Sequence, residues 1–243
     1  MYLSVIIPAY NEEKHIRDTV ESIYQYLSGK NIEHEILVVT DGSTDKTDDI
    51  VRSMFSTTPT LKLLDYGRNK GKGFAVRHGM LKAEGQYRLF TDADNATSID
   101  HIEKMMPFFS QGYDVVIGSI ALKDSVIASG SEPIWRRLFG KMGNLFIQLM
   151  AVPGISDTQR GFKIITAKAA QDIFSKTVIN YWGFDIEMLA LARKFGYKIK
   201  EVSITWKNDP DTASHPHLSA YFQVLMETVK IRWNLMTGKY NDK

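Results

Sequence analysis

The residues with the most chemistry in their spacing are Thr91-Asp92-Ala93-Asp94-Asn95, at the end of a β-rich run, Tyr87 to Thr91. In an extended segment alternate side chains share a side, so Asp92 and Asp94 converge. Two carboxylates repel unless a cation sits with them, and a hard, oxygen-preferring ion such as Mg²⁺ or Mn²⁺ suits the pair. A solvated turn, or an N-cap for a helix starting near Ile99, competes for the same residues. A second acid, Asp41, opens Asp41-Gly42-Ser43-Thr44-Asp45 at the end of another β-rich run. Turn and cap chemistry explains Gly42 and Asp45 and leaves Asp41 free for function. A third group, Arg68-Asn69-Lys70-Gly71-Lys72-Gly73, is a basic glycine turn before a helical pattern. Helix-start N–H groups with Lys70 and Lys72 favour a phosphate there. The turn is not a dinucleotide fingerprint, because Val76 stands where a third Gly or Ala belongs, and it lacks Walker A spacing.

The elements that must position these groups alternate strand and helix, as in βαβ units around a mainly parallel sheet. Strands are expected at Leu3 to Ala9, Glu35 to Thr40, Leu61 to Asp65, Tyr87 to Thr91 and Asp114 to Gly118. Ile16, Val20, Ile23 and Leu27 mark one face of a helix that Gly29 can close. Further helices are expected over Asp45 to Phe55, Gly73 to Ala83 and Ile99 to Gln111. A polar loop with Ser125, Ser129, Gly130, Ser131 and Pro133 then separates a first half, 1–119, from a second, 120–243, of one domain. The second half predicts helices over Ile134 to Met150, Phe184 to Phe195 and Leu218 to Met236, and strands over Phe162 to Thr166 and Tyr197 to Trp206. All three chemical groups then fall beyond strand carboxyl ends, where open α/β sheets bind ligands.

The 243 residues carry 30 Lys and Arg against 28 Asp and Glu, a net charge of +2, which argues against nucleic acid as a partner. The absence of cysteine excludes disulfides, zinc thiolates and thiol nucleophiles and is compatible with a reducing compartment. The opening MYLSVIIPAYNEE reads as a strand rather than a secretory leader, since Glu12 and Glu13 follow its apolar run at once. No run approaches a membrane span; Leu145 to Val152 is short and interrupted by Gln148.

The ordered set Pro8-Ala9-Tyr10-Asn11-Glu12-Glu13, Asp41-Gly-Ser-Thr-Asp, Gly71-Lys-Gly and Asp92-Ala-Asp resembles the inverting family-2 glycosyltransferases of the GT-A fold. Asp157-Thr-Gln-Arg160-Gly-Phe-Lys163 and Gly183-Phe-Asp-Ile-Glu187 extend the resemblance to the polyprenyl-phosphate glycosyltransferases, most closely the dolichyl-phosphate glucosyltransferase branch. This implies an α/β GT-A fold whose nucleotide base and ribose lie against Pro8, Ala9, Tyr10, Glu12 and Asp41. Lys70, Gly71, Lys72, Asp92 and Ala93 complete the nucleotide-sugar site, with Asp92 and Asp94 on a divalent metal. Asp157 would lie near the acceptor and Arg160 would meet a phosphate. The implied donor is UDP-glucose and the implied acceptor a polyprenyl or dolichyl phosphate, delivered at the cytoplasmic face of a membrane. GDP-mannose, a saccharide hydroxyl acceptor, or a nucleotide-binding module without catalysis are the alternatives. Related mannosyltransferases differ at Ile120, Ala96 and Ser214-His215.

Two helical stripes bear on that acceptor. Trp135, Leu138, Phe139, Met142, Phe146 and Leu149 share a side, with Arg136, Arg137 and Lys141 nearby; so do Leu218, Phe222, Leu225, Val229, Trp233 and Met236, with Lys230, Arg232 and Lys239. Interfacial helices have this pattern, and so do helices that pack on a core. His215 and His217 are candidate metal ligands across the cleft or plain loop residues.

Overall fold

A computed structural model describes residues 1–128, 134–207 and 218–241, with side chains at 1–126, 142–207 and 219–241. The chain runs β1 (Leu3–Ala9), α1 (Ile16–Gly29), β2 (His34–Thr40), α2 (Thr47–Ser53), β3 (Leu61–Asp65), α3 (Lys72–Lys82) and β4 (Tyr87–Thr91). A 3-10 turn (Ile99–His101), α4 (Ile102–Met105), α5 (Pro107–Ser110), β5 (Val115–Ser119) and β6 (Val126–Ala128) follow. The second half holds α6 (Ile134–Met150), β7 (Phe162–Thr166), α7 (Ala167–Phe174), α8 (Phe184–Lys194), β8 (Ile199–Ser203), β9 (Thr205–Lys207) and α9 (Leu218–Met236).

Seven strands form one sheet in the order β3-β2-β1-β4-β7-β5-β8. All are parallel except β7, which runs antiparallel to both β4 and β5. Because β7 belongs to the second half and lies between two strands of the first, the halves share one sheet. β1 and β2 are buried along their whole length, as expected of strands covered on both faces. Side-chain alternation splits the core: Ile6, Val39, Phe90 and Ile165 pack with α3, α7 and α8, while Val5, Ile7, Val38 and Ile164 pack with Val20, Ile23 and Ile102 on the other face.

Several expectations need correction. The stretch Ile99 to Gln111 is broken into the 3-10 turn, α4 and α5, because Pro107 has no N–H to continue the ladder and serves as the first residue of α5. Tyr197 to Trp206 splits at Ile204, whose N–H bonds the Ser119 carbonyl; β8 stays in the main sheet while β9 pairs with β6. Gly29 ends α1, but the residue in the left-handed region is Asn31, φ 53°. Helix α7 and strand β6 were not anticipated.

In α9 the stripe containing Phe222, Val229, Trp233 and Met236 faces outward, with Phe222 67% and Trp233 65% exposed. Ala220, Val224, Thr228 and Ile231 face the core instead. Met142 and Leu149 of α6, which packs beside α9, are exposed as well, with Phe146 half-buried. The side chains of Trp135, Arg136, Arg137, Leu138, Phe139, Lys141 and Leu218, and the residues Ser129 to Pro133, Ser214, His215 and His217, lie outside the described part. No helix among the described residues is long and apolar enough to cross a membrane.

Candidate active site

The carboxyl ends of β1, β2 and β4 and the start of α3 surround a cleft of about 210 Å³. Pro8, Ala9, Tyr10, Glu12, Asp41, Gly71, Lys72, Asp92 and Ala93 line it, joined by Asn69, Tyr181 and Trp182. The turn after β1 is fastened to the turn after β2: Asn11 (φ 56°) accepts the Thr44 N–H at 2.8 Å, and the Glu12 N–H donates to Thr47 Oγ1 at 2.8 Å.

Asp41, only 3% exposed, is more occupied than a free ligand would be. Its Oδ1 accepts from Tyr66 Oη and the Lys70 N–H, both at 2.7 Å, and its Oδ2 from the Gly71 N–H at 2.8 Å. Two N–H groups of the basic glycine turn, those of Lys70 and Gly71, are therefore already bound to a carboxylate, and the Phe74 N–H of the first turn of α3 is bound to the Gly71 and Asn180 carbonyls. Burial first, and then Asp41, push the Tyr66 hydroxyl far above its ordinary pKa, so it stays a donor. Gly71 has φ +96°, and any side chain there would strike the Asn180 carbonyl and the Tyr181 ring. The glycine turn thus docks α3 against the 180–182 segment. Lys70 does not line the cleft; its ammonium lies 4.2 Å from the centre of the Phe74 ring and 5.0 Å from that of Tyr66.

At the end of β4, Lys72 Nζ donates to Asp92 Oδ1 at 2.5 Å. Burial draws the Lys72 pKa down, but Asp92, followed by Asp185 and Asp94, outweighs it and the net shift is upward. Asp94 accepts the Ala96 N–H at 3.0 Å, and its pKa is raised by burial and then by the Asp92 charge. Gly161, at the entry to β7, lies so close to the Asp92 carboxylate that a Cβ there would collide with it. Beneath them Lys163, fully buried, donates to Asp185 Oδ1 at 2.6 Å and to the Arg160 carbonyl. Burial pushes the Asp185 pKa up, and Lys163 and Lys72 pull it back only in part.

The Asp157–Arg160 loop approaches from the same side. Asp157 Oδ2 accepts the Ile120 N–H at 2.9 Å and lies 3.4 Å from Arg160 Nε, while Glu201 accepts the Ser156 and Asp157 N–H groups at 2.9 and 3.0 Å. The Arg160 guanidinium stands 4.7 Å from the centre of the Trp206 ring. Arg160 is therefore held in place by Asp157 and Trp206. β9 also reaches the paired-acid turn, since the Lys207 N–H donates to the Ala96 carbonyl at 2.8 Å.

Among the described residues no three His, Cys, Asp or Glu side chains cluster closely enough to hold a metal alone. Burial and then the neighbouring Asp92 charge, which together raise Asp94, nevertheless fit a pair that shares a cation with substrate phosphates and water, as Mg²⁺ and Mn²⁺ commonly do. Sequence reasoning passed over Tyr181, Trp182, Asn69, Lys163 and Asp185 as site residues. The aromatic pair directly before Gly183-Phe184-Asp185 was the available signal for the first two.

Residues 4–174 match the family described as "Glycosyl transferase family 2". The chain is 33% identical to a dolichyl-phosphate beta-glucosyltransferase of Dictyostelium discoideum, over 100% of this chain and 77% of that protein. It is 30% identical to the Homo sapiens protein of the same name, over 98% and 77%. Among solved structures, glucosyl-3-phosphoglycerate synthase from Mycobacterium tuberculosis in complex with Mn²⁺, UDP-glucose and phosphoglyceric acid superposes with a TM-score of 0.69 at 17% identity, over 95% of this chain and 79% of that one. S. aureus TarS with UDP-GlcNAc gives 0.62 at 20% identity, over 96% and 67%. These structural likenesses speak to the GT-A fold. The family match spans both the paired-acid turn and the Gly161 strand, and the relatives align along the chain from end to end: this protein belongs to glycosyl transferase family 2 and is a glycosyltransferase.

Proposed function

We propose that the enzyme moves glucose from UDP-glucose to a dolichyl or other polyprenyl phosphate, with inversion, at the cytoplasmic face of a membrane. The observation that carries this reading is the seating of Gly161 on Asp92, which sets the Asp157–Arg160 loop against the floor of the nucleotide-sugar cleft. The names of the end-to-end relatives support the same donor sugar and acceptor class.

In this reading Pro8, Ala9, Tyr10, Glu12 and Asp41 take the base and ribose, Asp41 chiefly by holding the turn that carries Asn69 and Gly71. Asp92 and Asp94 would hold Mg²⁺ or Mn²⁺, which supplies positive charge to the departing diphosphate. Lys72, already on Asp92, adds a cation beside the same leaving group. Arg160 receives the acceptor phosphate. A phosphate monoester has its second pKa near ~6 and is already a nucleophilic anion at neutral pH, so no side chain need deprotonate it. Asp157 accordingly orients Arg160 rather than serving as base, in keeping with its two existing partners. Attack from the side opposite the diphosphate gives a β-linked lipid phosphosugar.

The lipid is met at a surface. Phe222, Val229, Trp233 and Met236 present an outward apolar stripe, flanked by exposed Lys230, Arg232 and Lys239. Aromatic and aliphatic groups settle at the acyl boundary while cations lie among anionic headgroups. The test is incubation of purified enzyme with UDP-glucose or GDP-mannose, Mn²⁺ and a polyprenyl phosphate, with the lipid product identified by mass. A hexosyl phosphopolyprenol from UDP-glucose is expected; a product from GDP-mannose alone, or no lipid product, would overturn the assignment.

A further inference from the structure

The cleft wall formed by Tyr181 and Trp182 belongs to an irregular segment, 176–183, between α7 and α8. Its backbone finds few partners within itself and is held by charged side chains from three helices. Arg77 of α3 donates to the Thr177 carbonyl at 2.9 Å and to Asn180 Oδ1 at 3.0 Å. Glu187 of α8 accepts the Val178 and Ile179 N–H groups at 2.9 and 2.8 Å. Glu227 of α9 accepts the Gly183 N–H at 2.6 Å, steadied by Gln223 Nε2 at 3.1 Å. The approach of α9 is close: a Cβ on Gly183 would lie 2.8 Å from both Cβ and Oε2 of Glu227. A second tie follows α9, where buried Tyr240 donates to Glu187 Oε1 at 2.6 Å. The helix that carries the outward Phe222 and Trp233 is thus joined to the wall of the donor cleft directly through Glu227, and the chain just after it indirectly through Tyr240 and Glu187.

We infer that Glu227 is a positioning residue for glycosyl transfer, acting through Gly183 on Trp182, and that lipid engagement of α9 is felt in the donor cleft by this route. The lipid half of the inference rests on the membrane-surface reading above. A charged acceptor on a buried amide is among the stronger single hydrogen bonds, and its loss leaves the N–H without a partner. The wall is otherwise loop, the class of structure that opens at least cost when a tie is cut.

Glu227→Ala and Glu227→Gln separate positioning from folding, since the Gln carbonyl oxygen still accepts the Gly183 N–H. Three readouts apply: melting temperature, KM against kcat for UDP-glucose, and hydrogen–deuterium exchange over 178–183 with and without phosphatidylglycerol–phosphatidylcholine vesicles. Glu227→Ala should raise the donor KM about tenfold, change kcat much less, and speed exchange at Gly183 by a similar factor, while Glu227→Gln restores both. Vesicles should slow exchange over 178–183 in the wild type and in Glu227→Gln but not in Glu227→Ala. Wild-type KM and exchange in Glu227→Ala, or a vesicle effect that survives in it, would overturn the inference. Exchange behaving as stated in a protein that transfers no glucose would uphold the coupling and overturn only the donor assignment.

Discussion

Asp41 illustrates how one side chain can be both legible and misjudged. Its place at a strand end marks it as a site residue, yet its three donors, Tyr66 Oη and the Lys70 and Gly71 N–H groups, are invisible to local spacing because they lie 25 to 30 positions away. Asp41→Asn presents an NH₂ where a carboxylate oxygen now accepts an amide. It should cost about 2 kcal/mol in denaturant unfolding and raise the UDP KM together, whereas Tyr66→Phe should cost about 1 kcal/mol. Gly161→Ala drives a methyl into the Asp92 carboxylate, and a displacement of that size should lower kcat about a hundredfold while the melting temperature changes little. If Asp94 holds the metal as proposed, Asp94→Asn should be more severe still, and excess Mn²⁺ should recover little of the loss. The acids were readable because an Asp-x-Asp pair announces its own electrostatic problem. Lys163 and Asp185, 22 residues apart and both buried, acquire meaning only when β7 and α8 meet.

At the scale of elements, the first half was readable because β1, β2, β4 and β5 are largely buried apolar runs and its helices follow at short, regular intervals. What failed were the interruptions: Pro107 within an apolar run, and Ile204, where a single apolar segment serves two sheets. The direction of β7 was also beyond reach, since nothing in the pattern of the short Phe-Lys-Ile-Ile run depends on its orientation. β2 also carries a pH-dependent contribution. Glu35, nearly inaccessible, accepts from Ser4 Oγ at 2.6 Å, the Glu84 N–H at 2.8 Å and Lys62 Nζ at 2.8 Å. Burial alone would raise its pKa, but Lys62, Ser4 and the Glu84 amide together hold it below the ordinary 4.5. A carboxylate depressed in the folded state adds stability that is whole above 4.5 and fades as the pH falls through the folded value. Glu35→Gln should therefore lower the denaturant midpoint at neutral pH and flatten its decline on acidification, measured by urea unfolding from about pH 7 to about pH 3.

For the whole molecule, α9 turns Phe222, Val229, Trp233 and Met236 away from the core. Both a membrane face and a core face were consistent with the stripe; Ala220, Val224, Thr228 and Ile231 face the core, and Phe222 and Trp233 are turned outward. Phe222→Ser with Trp233→Ser should leave the melting temperature near wild type and weaken flotation with anionic vesicles by about tenfold per aromatic. Activity on a long-chain polyprenyl phosphate in vesicles should fall further than on a short soluble analogue; equal losses would mean that the stripe does not meet lipid. The antiparallel β7 carries a separate implication, for synthesis on the ribosome. Until residues 162–166 emerge, β4 has no neighbour on one side and β5 cannot join the sheet, because its neighbours in the strand order are β7 and β8. The nascent chain therefore carries β4 with one edge unpaired while residues 92–161 are made, and the strand that closes it brings Gly161 and Lys163 with it. Seating of Gly161 against Asp92 and closure of the β4 edge are one event in the life of this polypeptide.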